Sequence, residues 1–250
     1  MLYIIQVGHN DASDRYIRNK VKAVEEAGLQ ATVVNLEESC SNEEVIANIS
    51  SCWLKNDDCK AIMVQLPLPE HLDKKFILSH IPPVFDIDGL NPIGNVKKPL
   101  TPCAIMRWLK EQNVNLEGKN VTILGRSELV GKPLANLMID AGATVTVCNS
   151  KTTPFFSRCF CLSSDIIVSA VGKPGIVNWF YISGNFKQIV IDVGINRDEN
   201  GKLCGDVDSE ASACIEKAGG ICTPVPGGVG KWTVRELVLR LAEMEGVKVD

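Results

Sequence analysis

The chain has 250 residues, enough for one large domain or two modest ones with a substantial core. Against 30 Asp and Glu stand 26 Lys and Arg, a formal net charge of -4 that excludes a protein relying on a basic face for phosphate backbones. Hydrophobic residues at 45% and charged residues at 22% exclude a disordered chain. No apolar run approaches the roughly 20 residues that span a bilayer. The N-terminal segment MLYIIQVGHNDASD has too short an apolar stretch and no basic flank for a secretory signal, so a soluble, cytoplasmic protein without nucleic-acid or membrane partners is expected.

Short β-branched runs alternate with longer helical stretches, which predicts α/β architecture with parallel strands. Leu2 to Val7 reads as a strand and Ala12 to Ala27 as a helix closed by Gly28. A second strand spans Ala31 to Asn35. The helix from Ser41 to Leu54 starts at a Ser cap with Glu43 and Glu44 in its first turn. Lys60 to Gln65 is a third strand, ended by Leu66-Pro67-Leu68-Pro69. The Pro- and Gly-rich stretch from Pro82 to Pro102 holds no convincing element, and such long connections are often functional. Thr101 as cap and Pro102 at the first helical position then open a helix to Gln112.

A second unit follows, with strands at Val121 to Leu124, Thr144 to Cys148, Ile166 to Ala170 and Ile189 to Val193. Helices are predicted from Pro133 to Ala141 and, after the glycine cluster at 227–230, from Thr233 to Glu245. Two α/β units with parallel sheets are expected from this order. The ten cysteines form no CxxC pair and lie largely in apolar stretches, so reduced thiols and no metal site are expected.

The segment from Val121 to Pro133, VTILGRSELVGKP, reads as strand, turn and helix. Gly125 permits a tight exit from the strand, and Gly131 lets backbone approach a ligand at the helix N-terminus, where free N–H groups and the helix dipole favour a pyrophosphate. It is not GxGxxG, and an ordinary βα turn is the competing reading. The next strand ends Cys148-Asn149-Ser150-Lys151 with no carboxylate for a ribose hydroxyl. Arg126, Ser150 and Lys151 suit a 2′-phosphate, which favours NADP over NAD. Gly230-Lys231 is not part of a P-loop, because Val225 stands where the motif requires Gly.

In the first unit Ser13, Tyr16 and Lys20 share one helix face. Alone they read as a half-buried tyrosine and a surface lysine. Three segments add weight: VQLPLP at 64–69 puts an amide at a strand's C-terminal end, DIDG at 86–89 puts carboxylates in the long loop, and TPVPGGVG at 223–230 is too rich in Gly and Pro for a helix or central strand.

With these segments, AVGKPG at 170–175 and IDVGINR at 191–197, the chain resembles the methylenetetrahydrofolate dehydrogenase/methenyltetrahydrofolate cyclohydrolase family. The segments occur in the family's order over nearly the whole chain. The resemblance implies a bifunctional enzyme that oxidises 5,10-methylenetetrahydrofolate with NADP and hydrolyses the methenyl product to 10-formyltetrahydrofolate. It implies two parallel-sheet α/β domains with a cleft between them, a folate domain at 1–105 joined by the C-terminal helix 232–246 and a Rossmann-type NAD(P)-binding domain at 106–231. By the match, Lys20 is the base for water attack, Gln65 orients it, Tyr16 packs against the pterin and Asp88 accepts the pterin's N–H groups. Val64, Leu66 and the backbone of Pro226, Gly227, Gly228, Val229 and Gly230 line the folate site. Gly125, Arg126, Ser127 and Ser150 hold NADP, with Ile195 near the nicotinamide. A homodimer is implied as well. A dehydrogenase without hydrolase activity and a non-catalytic folate- or nucleotide-binding subunit are the alternatives.

The sequence also departs from the family. Members carry an extra helix before the first strand, so other elements or a partner subunit would have to cover apolar surface worth about 25 cal/mol per Å², or the chain is truncated. Leu100 stands where Cys usually precedes Thr-Pro, Asn149 replaces His, and Lys231-Trp232 replaces Pro-Met. The stretch Pro154 to Cys161 is unusually apolar, with Phe155, Phe156 and Phe160.

Overall fold

The computed structural model describes residues 1–94, 97–184 and 187–249. The elements of the first part are β1 (Leu2–Val7), α1 (Asp11–Glu26), β2 (Ala31–Leu36), α2 (Asn42–Leu54), β3 (Ala61–Val64), α3 (Lys74–Ser79) and α4 (Leu100–Glu111). There follow β4 (Asn120–Leu124), α5 (Gly131–Asp140), β5 (Thr144–Cys148), α6 (Pro154–Leu162), β6 (Ile166–Ser169), a 3-10 turn (Trp179–Tyr181) and β7 (Ile189–Asp192). The last are β8 (Asn196–Arg197), β9 (Leu203–Cys204), α7 (Ser209–Lys217), β10 (Ile221–Cys222) and α8 (Val229–Glu245). Two compact units result, one of Met1–Leu100 with Val234–Asp250 and one of Thr101–Thr233.

In the first unit β1 lies between β2 and β3 in a parallel sheet, with Leu2 opposite both Ala31 and Ala61. Side chains alternate across the pleat, so each face collects its own core. Tyr3, Ile5, Val7, Ile62 and Val64 pack with Val45 and Ile49 of α2 and Ile77 of α3. Leu2, Ile4, Ala61 and Met63 pack with Ile17 and Val24 of α1 and with Leu237 and Leu241 of α8. The same alternation sends Gln6 and Gln65 to the α1 face. The capping residues act as their chemistry requires: Asn10 accepts the Ser13 amide at 2.8 Å, and Ser41 and Glu44 form a reciprocal capping box.

In the second unit five parallel strands take the order β10-β7-β6-β4-β5. One face packs against α4 and α5 through Ile105, Leu109, Leu134 and Met138. The other packs against α6, the 3-10 turn and α7 through Cys161, Tyr181, Ala211 and Ile215. The strand order reverses at β4, whose neighbours are its successor β5 on one side and β6 on the other. Doubly wound sheets bind ligands at such a point, outside the strands' carboxyl ends.

Several expectations are corrected. Helix α4 starts at Leu100, not at a Thr101 cap, because Leu100 is itself buried in the first unit's core and Pro102 is tolerated within a first turn. Helix α8 starts at Val229, inside the glycine cluster, and ends at Glu245; Val229 is buried in the core of the second unit, and its carbonyl accepts the Thr233 hydroxyl at 3.0 Å. The sequence reading missed α3, α6, α7 and the short β8–β9 hairpin. The stretch expected to be irregular from Pro82 does carry a backbone bridge from Asp86 to Ile62; its residues 95 and 96 lie outside the described residues.

Candidate functional site

Lys20 is buried on the sheet-facing side of α1, although lysine is among the residues least often fully buried. Its Nζ donates to Gln65 Oε1 at 2.9 Å and lies 3.8 Å from Met63 Sδ. It also lies 4.6 Å from the centre of the Tyr16 ring. Gln65 is buried too, and its Nε2 donates to its neighbour's carbonyl, Leu66 O, at 2.6 Å, so its oxygen is turned toward the ammonium. The i, i+4 spacing of Tyr16 and Lys20 and the strand alternation of Met63 and Gln65 converge on one spot. Burial lowers the Lys20 pKa below the ordinary lysine value, opposed by the charge of Asp88.

The two carboxylates of DIDG have separate tasks. Asp86 is buried and accepts the amides of Gly89 at 3.0 Å and Asn91 at 2.8 Å, so it closes its own loop. Gly89 has a φ of 69°, and a Cβ there would meet Lys97 O at 2.6 Å. Asp88 remains half-buried beside Lys20. Burial raises its pKa, Lys20 lowers it, Asp86 raises it and Arg240 lowers it. Arg240 of α8 donates to Ile87 O at 2.9 Å and Lys98 O at 2.8 Å, and pairs with Glu236 at 3.8 Å. It therefore ties down the backbone beside Asp88. The sequence reading missed it, although Glu236 and Arg240 interrupt an apolar helix at i, i+4 spacing.

In the second unit Gly125 has a φ of 115°, and a Cβ on it would lie 2.4 Å from Ala170 O. A Cβ on Gly131 would lie 2.2 Å from Gly125 O. Only glycines let the β4 exit and the start of α5 approach each other so closely. Val130 caps α5 without a side-chain hydrogen bond, while Ser127 Oγ accepts the Val130 amide at 3.1 Å. Arg126, Ser127 and Ser150 are exposed, and Arg126 has no hydrogen-bond or ion-pair partner among the described residues. The strand β5 runs out at Cys148 with no carboxylate after it. A glycine cradle at a helix start, with a free guanidinium and a hydroxyl beside it, fits a dinucleotide bearing a 2′-phosphate.

Ile195 is 64% exposed, directly after Gly194. In TPVPGGVG, Gly227 has a φ of 111°, Gly228 donates to Pro224 O at 2.9 Å, and the Thr223 hydroxyl accepts the Asp192 amide at 2.8 Å. Trp232 stacks on Trp108 with ring centres 4.5 Å apart, which accounts for Trp at that position. Burial pushes the Asp192 carboxyl up to about 6 against the pull of three backbone amides. The role of Asp192 and of Asp206 behind the β6 and β7 loops was not read from the sequence.

The chain matches the tetrahydrofolate dehydrogenase/cyclohydrolase catalytic domain over residues 1–88 and the NAD(P)-binding domain of the same description over 99–247. It is 43% identical over 245 residues to the bifunctional protein FolD of Streptococcus thermophilus, covering 95% of this chain and 84% of that one. Among solved structures it resembles the bifunctional FolD methylenetetrahydrofolate dehydrogenase/cyclohydrolase of Campylobacter jejuni, with a TM-score of 0.90, 38% identity and coverage of 98% and 87%. The Trypanosoma brucei methylenetetrahydrofolate dehydrogenase-cyclohydrolase, solved with NADP and an inhibitor, has a TM-score of 0.88, 35% identity and coverage of 97% and 85%. With both of its units matched in order, the chain belongs to the tetrahydrofolate dehydrogenase/cyclohydrolase family.

Proposed function

We propose that this protein oxidises 5,10-methylenetetrahydrofolate with NADP and hydrolyses the resulting 5,10-methenyl cation to 10-formyltetrahydrofolate. The observation that carries the reading is the buried Lys20 amine held on Gln65, which a dehydrogenase without hydrolase activity would not need. NADP supplies the hydride acceptor of the first step. For its binding, Gly125, Ser127 and the start of α5 receive the pyrophosphate, Arg126 and Ser150 the 2′-phosphate, and Ile195 packs at the nicotinamide. Hydride transfer asks for positioning of the two carbons and no acid–base group.

In the second step water adds to the methenyl carbon and Lys20 Nζ takes its proton. Desolvation keeps a larger fraction of this amine neutral than water would, and Gln65 Oε1 fixes its direction. The N5–carbon bond then breaks as N5 regains a proton, leaving the formyl group on N10. Asp88 accepts the pterin's N–H groups and Tyr16 packs on its face, with Val64 and Leu66 contributing main-chain contacts, since the Val64 side chain is buried in the core on the other face of the sheet. The working form is a homodimer, a reading supported by exposed aromatics on α6. The ten free cysteines suit the reducing cytoplasm, and no helix among the described residues is long and apolar enough to cross a membrane.

Purified protein given 5,10-methylenetetrahydrofolate should form methenyl absorbance with NADP, more slowly with NAD, and the absorbance should then decay faster than in buffer. No nucleotide-dependent signal would overturn the reading.

A further inference from the structure

Asp206 is fully buried in the second unit, and its oxygens are met by hydrogen-bond donors from the end of β6, the loop that follows it and Asn196. Its Oδ2 accepts the Ser169 hydroxyl at 2.8 Å, the Val171 amide at 2.8 Å and the Gly172 amide at 3.2 Å. Its Oδ1 accepts the Lys173 amide at 2.9 Å and the Asn196 side-chain amide at 2.9 Å. The chain is folded tightly around the carboxylate: a Cβ on Gly194 would lie 2.1 Å from Asp206 Oδ1. Asp192 makes the second tier, accepting the amides of Gly194 at 3.0 Å, Asp206 at 2.9 Å and Val207 at 2.9 Å. A Cβ on Gly205 would lie 1.9 Å from its Oδ2.

These donors lie where β6 and β7 end, beside the reversal of strand order. Ala170 abuts the Gly125 turn, and the next residue, Val171, is 38% exposed despite being apolar. Three successive amides turned inward to one carboxylate fix the loop's course, and the same anion fixes Asn196 next to the exposed Ile195.

We propose that Asp206 is a positioning residue for the dinucleotide, setting the backbone of 171–173 and 194–196 so that Val171 and Ile195 receive the nicotinamide end. This rests on the NADP-dependent reading of the same unit. The carboxylate touches no substrate; it acts through the two loops.

The test is Asp206→Asn, which keeps the shape but turns one acceptor into a donor facing N–H groups. Loss of charged-acceptor hydrogen bonds predicts about tenfold or greater weakening of NADP binding by calorimetry. The KM for NADP should rise in step, while the KM for the folate stays unchanged, and amide hydrogen exchange at 171–173 should accelerate. Ser169→Ala, which deletes one hydroxyl donor from a buried site, decides the matter if Asp206→Asn does not fold; it should shift NADP affinity in the same direction by a smaller factor. Unchanged NADP affinity in the variants, beside a wild type that binds, would overturn the role of Asp206 alone. Folate and NADP KM values rising together would mark a merely structural residue and overturn it too. No NADP binding by the wild type would overturn both this role and the functional reading.

Discussion

Lys20 and Arg126 carry like charges in opposite settings, and the settings assign their chemistry. Lys20 is desolvated against Gln65 and Met63, so its proton is loosened and the amine can act as a base. Arg126 is exposed beside a glycine turn, where a guanidinium keeps its charge and can meet phosphate in a bidentate fashion. Replacing Arg126 by Ala should weaken NADP about tenfold, the lower end for a charged hydrogen bond given its exposure. NAD should be nearly unaffected, and the ratio of the two KM values measures this. An unchanged ratio would remove Arg126 from the 2′-phosphate site. Helix spacing put Tyr16 and Lys20 on one face and Gln65 stood at a strand end, but the roles of these three and of the loop residue Asp88 were legible only through the family resemblance. Arg240 and Asp206 were not, because the Ile87 and Lys98 carbonyls that Arg240 holds and the three loop amides that Asp206 accepts are main-chain groups remote in sequence.

At the scale of elements, β1 to β7 were legible as short apolar, largely β-branched runs between turn residues, and β1 and β5 begin and end where the sequence places them, whereas the two-residue β8, β9 and β10 are too short to show such a run. The helix α6 was not. Its Phe-rich run lacks the usual one-sided pattern, since Phe155, Phe156 and Phe160 face outward while Ser157 and Cys161 face the sheet. Trp179 and Phe180 of the adjoining 3-10 turn are also exposed and stacked at 3.7 Å, and the Arg158 guanidinium lies 5.0 Å over the Phe180 ring. Five half-exposed aromatics amount to about 500 Å² of apolar surface. A standard-size protein interface buries about 800 Å² per partner, and homodimer interfaces are roughly 65% apolar, so this face has the apolar area to seat a second copy of the chain at the lower end of the homodimer range. Sedimentation should give a dimer, and Phe156→Lys with Trp179→Lys should shift it toward monomer without loss of helix content. A dimer unmoved by these changes would place the interface elsewhere.

In the molecule as a whole, one unit holds a desolvated lysine beside a strand-end amide and the other a glycine turn at a helix start, and the amide and the glycines stood out in the sequence because they sit where a strand ends. What stayed hidden was how each site is held in place: Asp86 and Arg240 around Asp88, and Asp192 and Asp206 behind the loops of the nucleotide unit. The division of labour makes the two reactions separable by one substitution. The most direct measurement is Lys20→Met, assayed for hydration of supplied 5,10-methenyltetrahydrofolate and for NADP-dependent oxidation of the methylene compound. Loss of a positioned general base predicts hydration reduced by about 10²–10⁴-fold, with hydride transfer retained in part. Hydration at the wild-type rate in that variant would contradict the account.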